Sequence, residues 1–363
     1  MSSAAVIMLT GALVGASCAL VGSFLVLRRM AMLGDAISHA VLPGIVVVFW
    51  LTGERSAPLM VLGAGAVGLL TVFLVELINR SGRVREDAAI GLVFPALFSI
   101  GVIAVSRFPA TVHLDVEHVL YGEIAYTPLD RLTLFGTDIG YRSLWLLGTM
   151  TLVNLLLVGV FYKELKLATF DPGLAAAVGL APAAVHYGLM AAVSATTVVA
   201  FDSVGAILVV ALLIVPPATA YLLTDRLPLM IGLAVACGAG SAVGGFWLAR
   251  WLDGSIAGAM AVCAGMLFGL AFLAGPRHGV LARLVRLRRL RLEFALNLLV
   301  SHLEGNHGSA EIPALRRRFT WNAATARRVV GAALRDGLVR RSDDDCLTLT
   351  ALGRSVAQAV PVP

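Results

Sequence analysis

Asp35 and His39 stand four residues apart inside the apolar stretch "RRMAMLGDAISHAVLPG", which runs from Arg28 to Gly44. Four residues are about one helical turn, so the carboxylate and the imidazole share one helix face. Ionisable groups at membrane depth are costly and usually face a polar path or a partner. Together they offer one hard oxygen and one nitrogen, a donor pair suited to Mn2+, Zn2+ or Fe2+. Two ligands make a weak site, as a path that must release its cargo requires. The same pair also admits a structural reading, a buried Asp–His hydrogen bond that holds helices together. The two residues alone leave both readings open.

Other polar residues qualify less well. His186, in a later apolar stretch, is a further imidazole that could complete a metal site. His113, Asp115, Glu117, His118 and Glu123 crowd a semi-polar loop from Arg107 to Ser143. They could draw a cation to an outer mouth, but a short amphipathic helix at the surface is the plainer expectation. Glu86 and Asp87 open an apolar stretch, where acids complement a helix N-terminus. Glu76 precedes Arg80 by four residues, the spacing of an ordinary ion pair. Asp202 is expected in a turn. The four cysteines, Cys18, Cys237, Cys263 and Cys346, form no CxxC pair and read as small apolar residues.

Enzyme chemistry finds no foothold. Lys163 and Lys166 are the only lysines, and neither sits in a G-x-x-x-x-G-K loop. HExxH and GxSxG are absent as well. The chain is expected not to be an enzyme, to bind no permanent cofactor, and to depend on a partner for any ATP hydrolysis.

The elements that must carry these residues are set by composition. Hydrophobic residues make up 59% of 363 and charged residues 14%, with mean hydropathy +0.89; a soluble domain averages about a quarter charged. Apolar stretches fall near 5–27, 31–52, 58–79, 88–106, 144–162, 182–200, 203–223, 229–250 and 255–275, each about the length of a bilayer crossing. No cleavable signal is evident; the first stretch is long enough to span and lacks a basic leader. Arg28, Arg29, Arg80, Arg83, Arg85, Lys163, Lys166 and the basic run after Arg277 fall on one side under this count. The positive-inside rule then places the N-terminus outside and the C-terminus in the cytoplasm. Glycine-rich runs such as "GAGAVGLL" and "CGAGSAVGG" are read as close helix packing.

From Arg277 the pattern changes. The organisation is read as a transmembrane domain over 1–276, a basic linker helix over 277–291 suited to an anionic lipid surface, and a soluble module over 292–363. In that module Ser309 and Asn322 are expected helix N-caps and Gly337 a helix stop. Its order of helices followed by a strand pair and a final helix resembles a winged helix-turn-helix domain. Arg316, Arg317, Arg318, Arg327 and Arg328 are its candidate contacts to DNA or another partner. His302, Glu304 and His307 are candidate ligands for a cytoplasmic metal.

A wider resemblance rests on "LRRMAMLGDAISHAVLPGI", "REDAAIGLVFPALFSIGV", "HVLYGEI", "TFDPGLAAAVGL" and "VVAFDSVGAILVVALLIVPPATAYLLTDRL", spread in order over roughly residues 5–275. These resemble the membrane subunits of the ABC importers that carry manganese, zinc or iron. The resemblance implies an all-α polytopic fold of about nine transmembrane helices, type II ABC importer-like, to which the tail adds a small cytoplasmic winged-helix α+β domain. It implies that Asp35 and His39 line the metal path. It also implies that Phe170, Asp171, Pro172, Gly173, Leu174 and Ala175 form the coupling helix that fits an ATPase. From the residues alone that stretch is a short helix with an acid N-cap and a proline at its first position.

The function expected is passage of divalent metal through a bacterial inner membrane. Mn2+ is preferred and Zn2+ or Fe2+ stand behind it. The partners implied are a cytoplasmic ATPase dimer that carries the ATP, a second permease subunit (identical or paralogous), an extracytoplasmic metal-binding protein and membrane lipid; nucleic acid is not expected. The alternative is a membrane-tethered, metal-responsive transcription regulator.

Overall fold

The computed structural model describes residues 2–52, 57–106, 124–134, 137–276, 279–306, 309–342 and 346–359. The chain divides into two compact units, residues 1–278 and 279–363.

The first unit opens with α1 (Ser3–Leu27), capped by Ser2, whose Oγ accepts from the Ala5 N–H. The stretch read as one crossing over 31–52 is two helices, α2 (Ala31–Ala40) and α3 (Leu42–Thr52). Pro43 explains the break at Val41. It has no N–H to give the His39 carbonyl, and its ring disfavours helical geometry at the residue before it. Then come α4 (Ala57–Arg80) and α5 (Glu86–Ser106), the latter with Pro95 in its interior.

A single turn at Ile124–Tyr126 leads to β1 (Arg131–Leu134) and β2 (Thr137–Tyr141), an antiparallel hairpin. The surface helix expected for the clustered acids and histidines falls outside the described residues, and the described end of the loop forms this hairpin. Thr133, Thr137, Ile139 and Tyr141 are residue types that favour a pleated chain. The clustered His113, Asp115, Glu117, His118 and Glu123 lie outside the described residues.

Beyond the hairpin follow α6 (Arg142–Val160), α7 (Tyr162–Phe170), α8 (Pro172–Ala177), α9 (Pro182–Val204), α10 (Ala206–Leu223), α11 (Leu227–Leu252) and α12 (Ile256–Ala274). Gly205 alone separates α9 from α10, at φ 79° and ψ 164°, a backbone state open essentially to glycine. Among the described residues, nine helical stretches are long and apolar enough to cross a bilayer, with α2 and α3 counting as one.

Inside the unit, α1 packs against α6, α9, α10 and α11, while α12 covers α10 and α11. On the other flank α4 packs on α3, α5 and α9, and α2 packs on α4, α5, α9 and α10. Contact is closest where side chains are missing. A Cβ on Gly15 would sit 2.7 Å from the backbone of Gly238, so α1 and α11 cross almost main chain to main chain. Asn154, buried in α6, ties that helix to Ser17 of α1 and Thr196 of α9.

The second unit starts with α13 (Val280–Gly305), which joins the basic stretch and the first helix of the soluble module into one element. It continues through β3 (Ser309–Glu311), α14 (Ile312–Arg318), α15 (Ala323–Arg335), β4 (Val339–Arg341), β5 (Cys346–Leu349) and α16 (Ala351–Ala359). The strands form an antiparallel sheet in the order β3-β5-β4. Ser309 begins a strand and is not a helix cap; the helix starts later, with Pro313 in its first turn. Asn322 does cap α15, its Oδ1 accepting from the Thr325 N–H at 2.7 Å, and Gly337 at φ 68° ends it. Leu296, Leu299, Val300, Leu303, Leu315, Val329, Ala333, Val339 and Leu347 form a core separate from that of the first unit.

Candidate metal path and its surroundings

The helix α2 has two unlike faces. Leu33, Ala36, Ile37 and Ala40 are buried in the core, while Met32, Asp35 and His39 lie on the opposite side. Asp35 Oδ1 stands 3.5 Å from His39 Nε2, with 43% of the aspartate and 31% of the histidine side chain accessible. That separation is at the outer limit of a hydrogen bond. The pair is partly open in the single chain. Its donor atoms face outward from a helix that is otherwise packed, with the His39 ring centroid 5.6 Å from that of Phe94.

His186 has other company. Its Nδ1 lies 3.4 Å from Arg28 Nη1, which donates to it, and its ring meets the edge of Tyr187. The Tyr187 hydroxyl donates to Glu76 Oε2, and Arg80 Nε donates to Glu76 Oε1 at 3.0 Å. Arg28 Nε also donates to Thr169 Oγ1 at 3.1 Å. Burial pulls the Arg28 guanidinium pKa down, as it does for any cation removed from water. Glu76, Asn79 and His186, with Met30, Leu33, Val72 and Val75, line a cavity of about 170 Å3. Among the described residues no three of His, Cys, Asp and Glu come together as a metal-holding group. His186 therefore does not complete Asp35 and His39 into a set of three within this chain.

The stretch from Phe170 to Ala175 folds largely by local rules. Asp171 Oδ1 accepts from the Leu174 N–H at 2.9 Å and Pro172 occupies the first helical position, so α8 is capped as its sequence suggests. Phe170 is the last residue of α7, one residue before the cap. Phe170, Leu174 and Val178 are 61%, 49% and 60% exposed and recur every four residues. The three form an exposed apolar stripe on the connection between two long apolar helices, the kind of patch that meets a protein or a membrane.

The far ends of α6 and α9 carry a second polar group. Arg142 reaches Asp130 at 3.4 Å and Asp202 at 3.3 Å, and Arg131 pairs with Asp138 across the hairpin. Asp202 lies in the last turn of α9, not in a turn between helices. In the second unit Arg316, Arg317, Arg318, Arg327 and Arg328 are all exposed. His302 stacks edge-on against Phe319 at 5.4 Å, and Glu304 is exposed; His307 lies outside the described residues.

The chain matches the model of the ABC 3 transport family over residues 3–275. It is 52% identical over 295 residues to the manganese transport system membrane protein MntD of Bacillus subtilis, covering 81% of this chain and all of that protein. It is 46% identical over 359 residues to the zinc transport system membrane protein TroD of Treponema pallidum, covering 97% of each. Of the solved structures, PsaBC from Streptococcus pneumoniae in complex with Fab aligns with a TM-score of 0.65 at 30% identity. That alignment covers 79% of this chain and 96% of its counterpart.

Proposed function

The chain belongs to the ABC 3 transport family, and from that membership we propose that it is the membrane subunit through which an ATP-driven importer passes divalent transition-metal ions. Mn2+ is the first choice and Zn2+ the second, since the relatives named for these two metals are the ones described above. ATP is hydrolysed on a separate subunit. The family's function is transport, and the tethered-regulator alternative finds no support in it.

The observation that carries the path is the open polar stripe of α2. Asp35 and His39 present one oxygen and one nitrogen on the uncovered face of an otherwise buried helix. Such a face is stable at membrane depth when a second subunit or a hydrated path covers it. Two permease chains with these faces opposed would double the ligands to four, enough for a transition metal. Dimeric assembly is further supported by the likeness to PsaBC.

The exposed stripe Phe170, Leu174 and Val178 is read as the contact with the ATPase. Arg28, Arg29, Arg80, Arg83, Arg85, Lys163 and Lys166 crowd the same end of the helices, the end the positive-inside rule places in the cytoplasm. An odd number of crossings brings the C-terminal unit to that side. The Arg142 and Asp202 end then meets the extracytoplasmic binding protein that delivers the ion.

The C-terminal unit is read as winged-helix-like, from its helix, strand, two helices, two strands and closing helix. It holds fourteen arginines against seven acids, whereas residues 1–278 hold fourteen basic residues against fifteen acids. That imbalance suits contact with anionic lipid or an acidic protein surface. The unit lies beyond the family match, which ends at residue 275, and it is read as regulatory instead of part of the path.

Uptake of Mn2+ and Zn2+ by cells expressing the chain with its ATPase and binding protein tests the reading. Asp35→Asn and His39→Ala are each expected to lower uptake by ten-fold or more at matched membrane abundance. Normal uptake by both variants would remove the pair from the path.

A further inference from the structure

Two hydrogen-bonded groups, Thr169–Arg28–His186 and Tyr187–Glu76–Arg80, meet at adjacent residues of α9. Thr169 lies in the last turn of α7, two residues before the Asp171 cap of α8. Its hydroxyl accepts from Arg28 Nε, 141 residues away, and Arg28 Nη1 reaches His186 near the start of α9. Tyr187, the next residue on α9, donates to Glu76 of α4, which Arg80 holds in turn. The Arg28 guanidinium thus links three helix ends, those of α1, α7 and α9, and Tyr187 adds the end of α4.

Arg28 is also the hinge between α1 and α2. It terminates α1 with its own N–H on the Phe24 carbonyl, and Arg29 behind it takes φ 62°, unusual for a residue with a side chain. The Met30 N–H returns to the Leu25 carbonyl, and α2 begins at Ala31. Asp35 follows one turn later. A displacement of Thr169 is therefore applied directly to the joint from which the Asp35 and His39 helix departs.

Arg28 is incompletely satisfied in this arrangement. Among the described residues its buried Nη2 has no hydrogen-bond partner, which is expensive for a charged donor. A side chain in that position gains by re-pairing when its neighbours move. His186 and Glu76 face the guanidinium chain with Arg28 and Arg80 on either side, so the neighbourhood is too basic to attract a passing cation.

We infer that Arg28 is a positioning residue for transport: through Thr169 it transmits movement of the α7–α8 segment to the α1–α2 hinge, and so to Asp35 and His39. This rests on reading α8 as the ATPase contact, and the experiment separates the two. The complex of this chain with its ATPase is placed in liposomes, with Mn2+ as cargo, and uptake per ATP hydrolysed is measured.

Arg28→Gln and Thr169→Val retain the ATPase and its hydrolysis but move at least ten-fold less Mn2+ per ATP, whereas Thr169→Ser, which keeps the hydroxyl, restores the ratio. Valine matches threonine in shape, so Thr169→Val stays informative where Arg28→Gln disturbs folding. An unchanged ratio in Thr169→Val, or an equal fall in hydrolysis and uptake, overturns the inference. Leu174→Glu, on the exposed stripe, should release the ATPase. If the ATPase stays bound and uptake is normal, α8 is not the contact and the inference loses its first step.

Discussion

Asn154 Nδ2 of α6 lies 2.9 Å from Ser17 Oγ of α1, across 137 residues of sequence, and both side chains are buried. The same nitrogen reaches Thr196 Oγ1 of α9 at 2.8 Å, so one amide joins three helices. Hydrogen bonds between membrane helices contribute roughly 0.6–2 kcal/mol each. Asn154→Leu removes the donor and leaves the two hydroxyls to find other partners. Melting of the purified permease in detergent should fall by several degrees. An unchanged midpoint would mean that the amide is not a structural tie.

The α1–α10 contact gives a steric prediction. A Cβ on Gly22 would lie 2.0 Å from the Leu213 carbonyl oxygen, whereas one on Gly65 meets nothing within 4 Å. Gly22→Val should abolish the monodisperse permease peak in size-exclusion chromatography, and Gly65→Ala should leave it intact. Equal behaviour of the two would contradict the close crossing.

Loss of transport and loss of fold should separate at Asp35. Its side chain is nearly half accessible, and substitutions at such positions usually change stability by no more than about 0.5 kcal/mol. Asp35→Asn should therefore melt with the parent protein while failing in uptake. A large fall in melting temperature would return the residue to a structural role.

The hairpin responds to acid in a defined direction. The Arg131 guanidinium and the Gly140 N–H hold the Asp138 carboxyl below the usual carboxylate range. A depressed carboxylate contributes stability that is present above its unfolded pKa and lost as pH falls through the folded one. Protection of the Gly140 amide from hydrogen exchange, corrected for the intrinsic rate, should stay level from neutral pH to the ordinary carboxylate range and decline only in stronger acid. Loss of protection between pH 8 and 6 would assign it to another group.

The second unit has a core of its own. A fragment of residues 279–363 should unfold cooperatively on heating. A gradual, featureless melt would show that it needs the membrane unit to fold.

Hydropathy made the membrane part legible, because a crossing has few ways to satisfy its backbone and almost all are apolar helices. The cap of α8 was legible for a local reason, since Asp171 and Pro172 act within three residues. The ion pair between Glu76 and Arg80 was readable from its spacing alone. The hairpin over 131–141 was less so, because short strands in a polar loop carry little periodic signal. Pro43 was in plain sight as the cause of the break at Val41, yet an unbroken run of apolar residues outweighed it. Arg28 and Thr169 could not have been paired from sequence. Each reads as an ordinary residue at a helix end, and only the fold brings positions 141 apart into contact.

The break at Val41 has an electrostatic consequence. Ten residues of α2 rise about 15 Å, roughly half the hydrocarbon thickness, so this helix ends near the bilayer centre. His39 lies in the last turn of α2, and Pro43 has no N–H to give its carbonyl. A divalent ion beside Asp35 and His39 would therefore meet a carboxylate, an imidazole and, close by, a main-chain oxygen left without its helical amide. With any other residue at position 43 that oxygen would be spent on the next turn.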